Sequence, residues 1–243
     1  MKQLVILSGP SCVGKTPLLK ALNRVYPDFS YGKPILYTSR PPRSIEQDGE
    51  DFHFRTESEI RKLPANCFIV GPVRHLWQAI DLLEVQQLIE KHKVIVLEIY
   101  PTLGRLFMAC PKIQELSALF HVRTVFLAPV SEAEIVAVQN AMGFATAAET
   151  VAAIMTPKLI SRYLQQGKVL TPKDLEDIRI RASMAYEEIL MGRSYTTVLL
   201  NHDGEDSVHW RFTPPIGEAG ETLLLFYHML THAPNQDIQP VSH

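Results

Sequence analysis

The sequence predicts an α/β fold, a parallel sheet sandwiched by helices with a phosphate-binding loop after its first strand. Three observations carry this. An apolar run of strand length, Leu4 to Leu7, opens the chain. It leads straight into Ser8-Gly9-Pro10-Ser11-Cys12-Val13-Gly14-Lys15-Thr16, which fits G-x-x-x-x-G-K-[ST] throughout. Further runs with the look of buried parallel strands recur at Lys93 to Ile99, Val122 to Leu127 and Tyr195 to Leu200, among segments of helical periodicity.

The spacing of the first motif has a physical purpose. Gly9 and Gly14 allow the backbone to turn tightly and aim successive N–H groups inward, at the start of a helix whose dipole also favours negative charge. Lys15 can then reach the β- and γ-phosphates of a nucleotide, and the Thr16 hydroxyl can ligate Mg²⁺. Gly9, Ser11, Gly14, Lys15 and Thr16 are thus the candidate nucleotide-binding residues. Leu18, Leu19 and Leu22 have the core spacing of the helix that follows, and Pro17 is tolerated in its first turn, where N–H groups lack helical partners.

Composition sets the outer bounds. With 243 residues, 46% of them hydrophobic, the chain can bury a continuous core as one domain over 1–232. A formal net charge of -2 supplies no basic field for nucleic acid or an anionic membrane, so phosphate recognition must be local. Cys12, Cys67 and Cys110 are too few and too scattered for a disulfide framework or a zinc site, which suits a reducing, cytoplasmic setting. The first apolar run is too short for a signal peptide, and no run reaches membrane-spanning length.

After the first helix, Tyr26-Pro27-Asp28 breaks the pattern and Lys33 to Thr38 is a short extended segment. Thr38-Ser39-Arg40-Pro41-Pro42-Arg43 then sets two arginines three apart on a proline-stiffened backbone, a pair suited to gripping a phosphate through planar forks. Asp48-Gly49-Glu50-Asp51-Phe52-His53-Phe54 and Thr56-Glu57-Ser58-Glu59-Ile60 follow. Together with the phosphate loop these blocks resemble the guanylate kinase family, in which S-G-P-S-G-x-G-K is followed by T-T-R-x-P-R, D-G-x-D-Y-H-F and a helix with an acidic opening.

The resemblance implies a P-loop NTPase fold with a small acceptor-binding subdomain, placed at 34–91, and a helical lid, placed at 131–176. Leu82 to His92 has helical periodicity and leads to the strand that ends at Glu98, which the family likeness makes a candidate to hold Mg²⁺ through water. Ser131 to Pro157 is alanine-rich and helical and is expected to be an insertion in the lid, which resumes around Arg162 to Thr171. Arg162 matches one lid arginine of the family, whereas Gln166 stands where a second is usual. Arg181 resembles the arginine sent toward the transferring phosphoryl group, and Asn201 corresponds to an asparagine near the adenine of ATP. Glu218 to His232 is expected to be a terminal helix and 233–243 a disordered polar tail.

The departures from the family pattern gather in the acceptor site. A serine, a glutamate, a Y-G-T-S segment and an aspartate read guanine in the family; here they fall on Leu36, Val70, Gln78-Ala79-Ile80-Asp81 and Tyr100. Guanine offers N1–H and N2–H₂ donors, and each buried donor left without an acceptor costs about 1–3 kcal/mol. Arg40 and Arg43 remain to hold the acceptor phosphate. Phe52 and Gln78 stand where the family has two phosphate-binding tyrosines, of which Gln78 can still donate a bond, and Asp81 is a candidate replacement acceptor for the base.

An intact donor half beside an altered acceptor half implies an ATP-dependent kinase of a small phosphorylated acceptor, GMP or another monophosphate. Lys15, Arg162 and Arg181 are then the catalytic candidates. Two alternatives belong to other classes. One is a protein-interaction module of the kind found in scaffold proteins, although such modules typically lose the phosphate loop retained here; the other is a nucleotide-binding regulator without transfer. The remaining features have bland readings. His75 and Trp77 make a half-buried aromatic corner, and nine histidines show no metal-ligand spacing.

Overall fold

The opening apolar run forms β1 (Lys2–Ser8), the strand on which the molecule is assembled. It is apolar at consecutive positions because both of its faces are covered. Val5 and Leu7 pack against one layer of helices and Leu4 and Ile6 against another. The computed structural model describes residues 2–42, 46–116, 120–167 and 169–232. Arg43 and the tail expected at 233–243 lie outside the described residues.

The phosphate loop leads into α1 (Lys15–Val25). A second, smaller unit of sheet follows, with β2 (Tyr37–Thr38), β3 (His53–Phe54), α2 (Glu57–Arg61), β4 (Phe68–Val73) and β5 (Leu76–Asp81). Its strand order is β3-β2-β5-β4, with β4 and β5 an antiparallel hairpin closed at Arg74 and His75. The acidic opening of α2 is a capping box, in which Thr56 and Glu59 satisfy each other's backbone N–H groups.

The chain returns through α3 (Leu82–Lys91) to β6 (Val94–Glu98), then passes α4 (Pro101–Ala109) and α5 (Pro111–Leu116) to β7 (Phe120–Ala128). Next come α6 (Glu132–Met142), α7 (Ala147–Gln165), α8 (Pro172–Met191), β8 (Thr197–Leu200) and α9 (Gly217–Thr231). The main sheet is parallel, in the order β6-β1-β7-β8. Helices α1 and α9 cover one face, α3 and α4 the other, as the sequence predicts. Helices α6, α7 and α8 bury a third apolar cluster against Cys12 and Val130. Among the described residues no helix is long and apolar enough to cross a membrane.

One boundary differs from expectation. The alanine-rich stretch does not stop at Pro157; α7 runs through it to Gln165. Val151, Met155 and Leu159 keep that helix buried on either side of the proline, so tertiary packing outweighs the loss of one backbone bond.

Candidate active site

A cavity of about 890 Å³ opens where the carboxyl ends of β1 and β6 meet the second sheet and the α7–α8 pair. Crevices at the carboxyl ends of parallel strands are where α/β folds place ligands. At one end lies the phosphate loop. Gly9 (φ 147°) and Gly14 (φ 101°) both have positive φ, and a Cβ on either would fall 2.5 Å from the Leu127 carbonyl or 2.7 Å from Asn201 Nδ2. Cys12, also at positive φ, is fully buried, and its thiol is pushed up to about 12 by burial and by Glu205. It fills the loop as a protonated thiol directed at the Lys158 carbonyl, 3.4 Å away.

The Lys15 ammonium donates to the carbonyls of Gly9 (2.7 Å) and Pro10 (2.8 Å), folded back over its own loop. Burial lowers its pKa, opposed by the carboxylates of Glu98, Glu205 and Glu188. The Thr16 hydroxyl lies 3.4 Å from Glu98 Oε1, and Lys33 binds Glu98 Oε2 at 2.9 Å. Burial pushes the Glu98 carboxyl up, but Lys33 and Lys15 outweigh it and hold it below the usual carboxylate range. A hydroxyl and an ionised carboxylate facing a phosphate site are the hard oxygen donors with which Mg²⁺ is held beside substrate phosphates, so these residues fit that ion.

Two further cations reach the same end. Arg181, on α8, pairs with Asp177 at 2.6 Å and donates to Ser11 Oγ in the phosphate loop at 3.2 Å. Tyr163 fixes that aspartate with a 2.8 Å hydrogen bond. Arg162 ends α7, buried, with Glu205 at 3.2 Å, and its Nε has no hydrogen-bond acceptor among the described residues. Gln165 and Gln166 line the cavity beside it.

Across the cavity stands Arg40, from the loop after β2, in a two-bond fork with Glu46 at 2.9 Å each. Its guanidinium lies over the rings of Phe52 and Phe54, at 5.4 and 5.7 Å. Phe52, Gln78, Leu36 and Tyr100 also line this end. The structure therefore gathers the phosphate loop, Glu98, Arg162, Arg181, Arg40, Phe52 and Gln78 round one space.

Three expectations need correction. Asp81 does not line the cavity; its carboxylate caps α3, accepting from the N–H groups of Leu83 and Glu84. Asn201 is fully buried, and its amide donates to the carbonyls of Val13 (2.7 Å) and Asp203 (2.8 Å), so it braces the phosphate loop from behind. Val70 lies on the outer face of β4: Val73, opposite Leu76, faces the cavity, and side chains alternate along a strand. The inward positions of β4 are Ile69, Gly71 and Val73, none of them a carboxylate.

Other residues had no signal in the sequence. Lys33 stands against Glu98 from sixty-five positions away, Glu205 against Arg162, and Glu188 of α8 against Arg74 of the β4–β5 turn. Only the fold brings them together.

The comparisons with known proteins agree with this geometry. The family profile described as Guanylate kinase matches residues 1–185. A guanylate kinase from Aster yellows witches'-broom phytoplasma (strain AYWB) is 47% identical over 68 residues, 27% of this chain and 31% of that protein. One from Schizosaccharomyces pombe is 46% identical over 61 residues, 25% of this chain and 30% of that protein. These matches thus span less than a third of the relatives' lengths. The crystal structure of guanylate kinase from Anaplasma phagocytophilum superposes with a TM-score of 0.55 at 19% identity, covering 94% of this chain and 84% of that one, which is a likeness of fold.

Proposed function

The chain belongs to the guanylate kinase family, and from that premise we propose that it transfers the γ-phosphoryl group of ATP to the phosphate of a small monophosphate. The observation that carries this reading is the meeting in one cavity of Lys15, Thr16 and Glu98 with Arg40 on the opposite wall. One set suits a nucleoside triphosphate with its metal, the other an acceptor phosphate.

In the transfer, an oxygen of the acceptor phosphate bonds to the γ-phosphorus, the bond to the β–γ bridging oxygen breaks, and ADP leaves. Such a reaction asks the protein for positioning and charge neutralisation, since the phosphate oxygen is already a nucleophile. Lys15 turns from its loop carbonyls to the β- and γ-phosphates, and Arg181, fixed by Asp177, meets the moving phosphoryl group. Thr16 and, through water, Glu98 would hold Mg²⁺, which when bound would supply the remaining positive charge on the phosphates. Arg40 grips the acceptor phosphate together with Arg43, while Phe52 packs beneath Arg40 and Gln78 can donate to the same phosphate. Residues 34–91 act as the acceptor-binding unit. Residues 131–176 act as the lid, bringing Arg162 over the phosphates and excluding water that would hydrolyse ATP. The cytoplasm, with its ATP and reduced thiols, is the proposed setting.

The test is ADP release from ATP and Mg²⁺ over a panel of acceptors: GMP, dGMP, AMP, CMP, UMP and phosphorylated sugars, with Lys15→Ala as the blank. Turnover that vanishes in the blank supports transfer. Silence across the panel with ATP still bound supports a second reading, a nucleotide-binding regulator. The observation favouring that alternative is the lid itself, where Arg162 is paired with Glu205 and Gln166 is uncharged.

A further inference from the structure

The far wall of the cavity is built from Leu36, Val73, Leu76 and Ile99, and two polar side chains are set into it, Arg74 and Tyr100. Both belong to one buried cluster. Glu188, fully buried on α8, accepts on a single oxygen, Oε1, from Arg74 Nη2 (2.7 Å), Arg74 Nε (2.9 Å) and the Tyr100 hydroxyl (3.2 Å). The guanidinium also stacks on the Tyr100 ring, 5.1 Å from its centre. Burial and the Glu188 carboxylate raise the Tyr100 pKa, so the phenol stays an O–H donor.

The cluster fixes Arg74 on two sides and leaves one edge. Nε and Nη2 face Glu188, the ring covers one face, and Nη1 makes no hydrogen bond among the described residues. Arg74 holds a positive φ of 57° as the first residue of the two-residue β4–β5 turn, the conformation such a hairpin turn requires. A carboxylate behind a guanidinium orients it for a ligand in front, as outer residues orient metal ligands. Among the described residues no carboxylate lines this wall. Glu98 and Glu205 serve the phosphate end, Glu46 is held by Arg40, and Glu50 and Asp51 sit in an exposed loop.

We propose that Arg74, aimed by Glu188 and stacked on Tyr100, reads the far end of the acceptor as a hydrogen-bond donor. The favoured acceptor is then a monophosphate whose far end presents oxygens in place of amino groups. Glu188 is a positioning residue and Arg74 the specificity-determining one. The proposal rests on the phosphotransferase reading and gives its acceptor a chemical class: a flat or extended group between apolar walls, bearing carbonyl or anionic oxygens. An amino group in that place would meet a cation and a phenol O–H, both donors, and would lose its own hydrogen bond.

Two purine nucleotides that differ at this edge provide the test, xanthine also bearing a proton or a negative charge around N3 where guanine has a bare acceptor. Xanthosine monophosphate carries a carbonyl oxygen where GMP carries its 2-amino group. Their Kd values are measured calorimetrically on the full chain with Mg²⁺ and a non-hydrolysable ATP analogue. Xanthosine monophosphate is expected to bind at least about tenfold more tightly, the equivalent of one charged hydrogen bond gained. The double variant Arg74→Gln, Glu188→Gln, which removes both charges and leaves neither buried alone, is expected to lose that preference. A ratio between two ligands is not moved by a general loss of stability, so it separates reading from structural support. GMP bound as tightly as its counterpart, or a preference that survives in the double variant, overturns the role of Arg74 and leaves phosphotransfer standing. Failure to bind either nucleotide while the ATP analogue binds overturns the reading of a purine by Arg74, and the acceptor panel then decides phosphotransfer separately.

Discussion

Arg181 and Glu188 sit seven residues apart on α8, on the same face and about 10 Å apart along its axis. Arg181 donates to Ser11 in the phosphate loop, while Glu188 receives Arg74 from the β4–β5 turn. One helix face thus runs along the cavity from the phosphate loop to the far wall, and any tilt of α8 would move both ends together.

In the proposed division of the site Arg40 holds the acceptor phosphate, so its loss should be felt by one substrate. In Arg40→Ala the acceptor KM is expected to rise about 10- to 100-fold, from about 1.5–3 kcal/mol for hydrogen bonds to a charged group. The KM for ATP should stay within about twofold of the parent, a change too small to represent such a bond. Steady-state kinetics with each substrate varied in turn checks this, and equal effects on both would contradict the division of the site.

Glu98 faces Thr16 with one oxygen and Lys33 with the other. If it holds Mg²⁺ through water, Glu98→Gln should raise the Mg²⁺ concentration for half-maximal activity about 10- to 100-fold, the usual cost of losing an outer-shell group. Binding of metal-free ATP should change little or tighten slightly, because a negative charge has left the phosphate end. A Mg²⁺ titration of activity beside a calorimetric titration with ATP in EDTA distinguishes the two effects. An unchanged Mg²⁺ requirement would remove Glu98 from the metal site.

What could be seen in the sequence was what is local in it. The phosphate loop, its flanking strand and helix, and the acidic opening of the helix after Thr56 are each written within a few residues and lie where expected. Pairings across the chain were not legible. Arg74 and Glu188 are 114 positions apart, and neither carries a local mark. Asp81 was misplaced although a local mark existed, since an aspartate before an apolar helical run is a helix cap. Val70 was assigned to the cavity by matching motifs, where one step of strand alternation puts its side chain on the outer face. Arg162 is marked in the sequence by its likeness to a family arginine, whereas its buried pairing with Glu205 depends on a loop more than forty residues later.

His202 predicts a pH dependence of stability. Its Nδ1 lies 2.8 Å from Glu218 on α9 and its Nε2 3.0 Å from Glu134 on α6. Burial pushes the imidazole pKa down, but the two carboxylates outweigh it and the net shift is upward. A folded-state pKa above the unfolded value near 6.5 stabilises fully below about pH 6.5, and that stabilisation is lost as pH rises through the folded value. The melting temperature should therefore fall more steeply from about pH 6 to about pH 9 in the parent than in His202→Gln. Parallel slopes would show that the two ion pairs contribute nothing measurable, as many half-exposed pairs do.

Asn201 separates bracing from base recognition. Its Nδ2 holds the Val13 and Asp203 carbonyls, its Oδ1 accepts from Thr222 at 3.4 Å, and a Cβ on Gly14 would lie 2.7 Å from that Nδ2. Asn201→Ala leaves the Val13 carbonyl without its donor, while the Asp203 carbonyl keeps the Trp210 indole N–H at 2.6 Å, and it opens space beside the phosphate loop. The expected loss is about 1–3 kcal/mol for each buried group stranded, and each kcal/mol lowers the melting temperature by about 2–4 °C in a chain of this size. ATP affinity should fall with the loosened loop, while the preference for ATP over GTP should hold, because the side chain does not reach the cavity. Thermal unfolding and nucleotide competition on the same preparation check both parts. A variant that melts like the parent and yet exchanges its base preference would return Asn201 to direct contact with the nucleotide base.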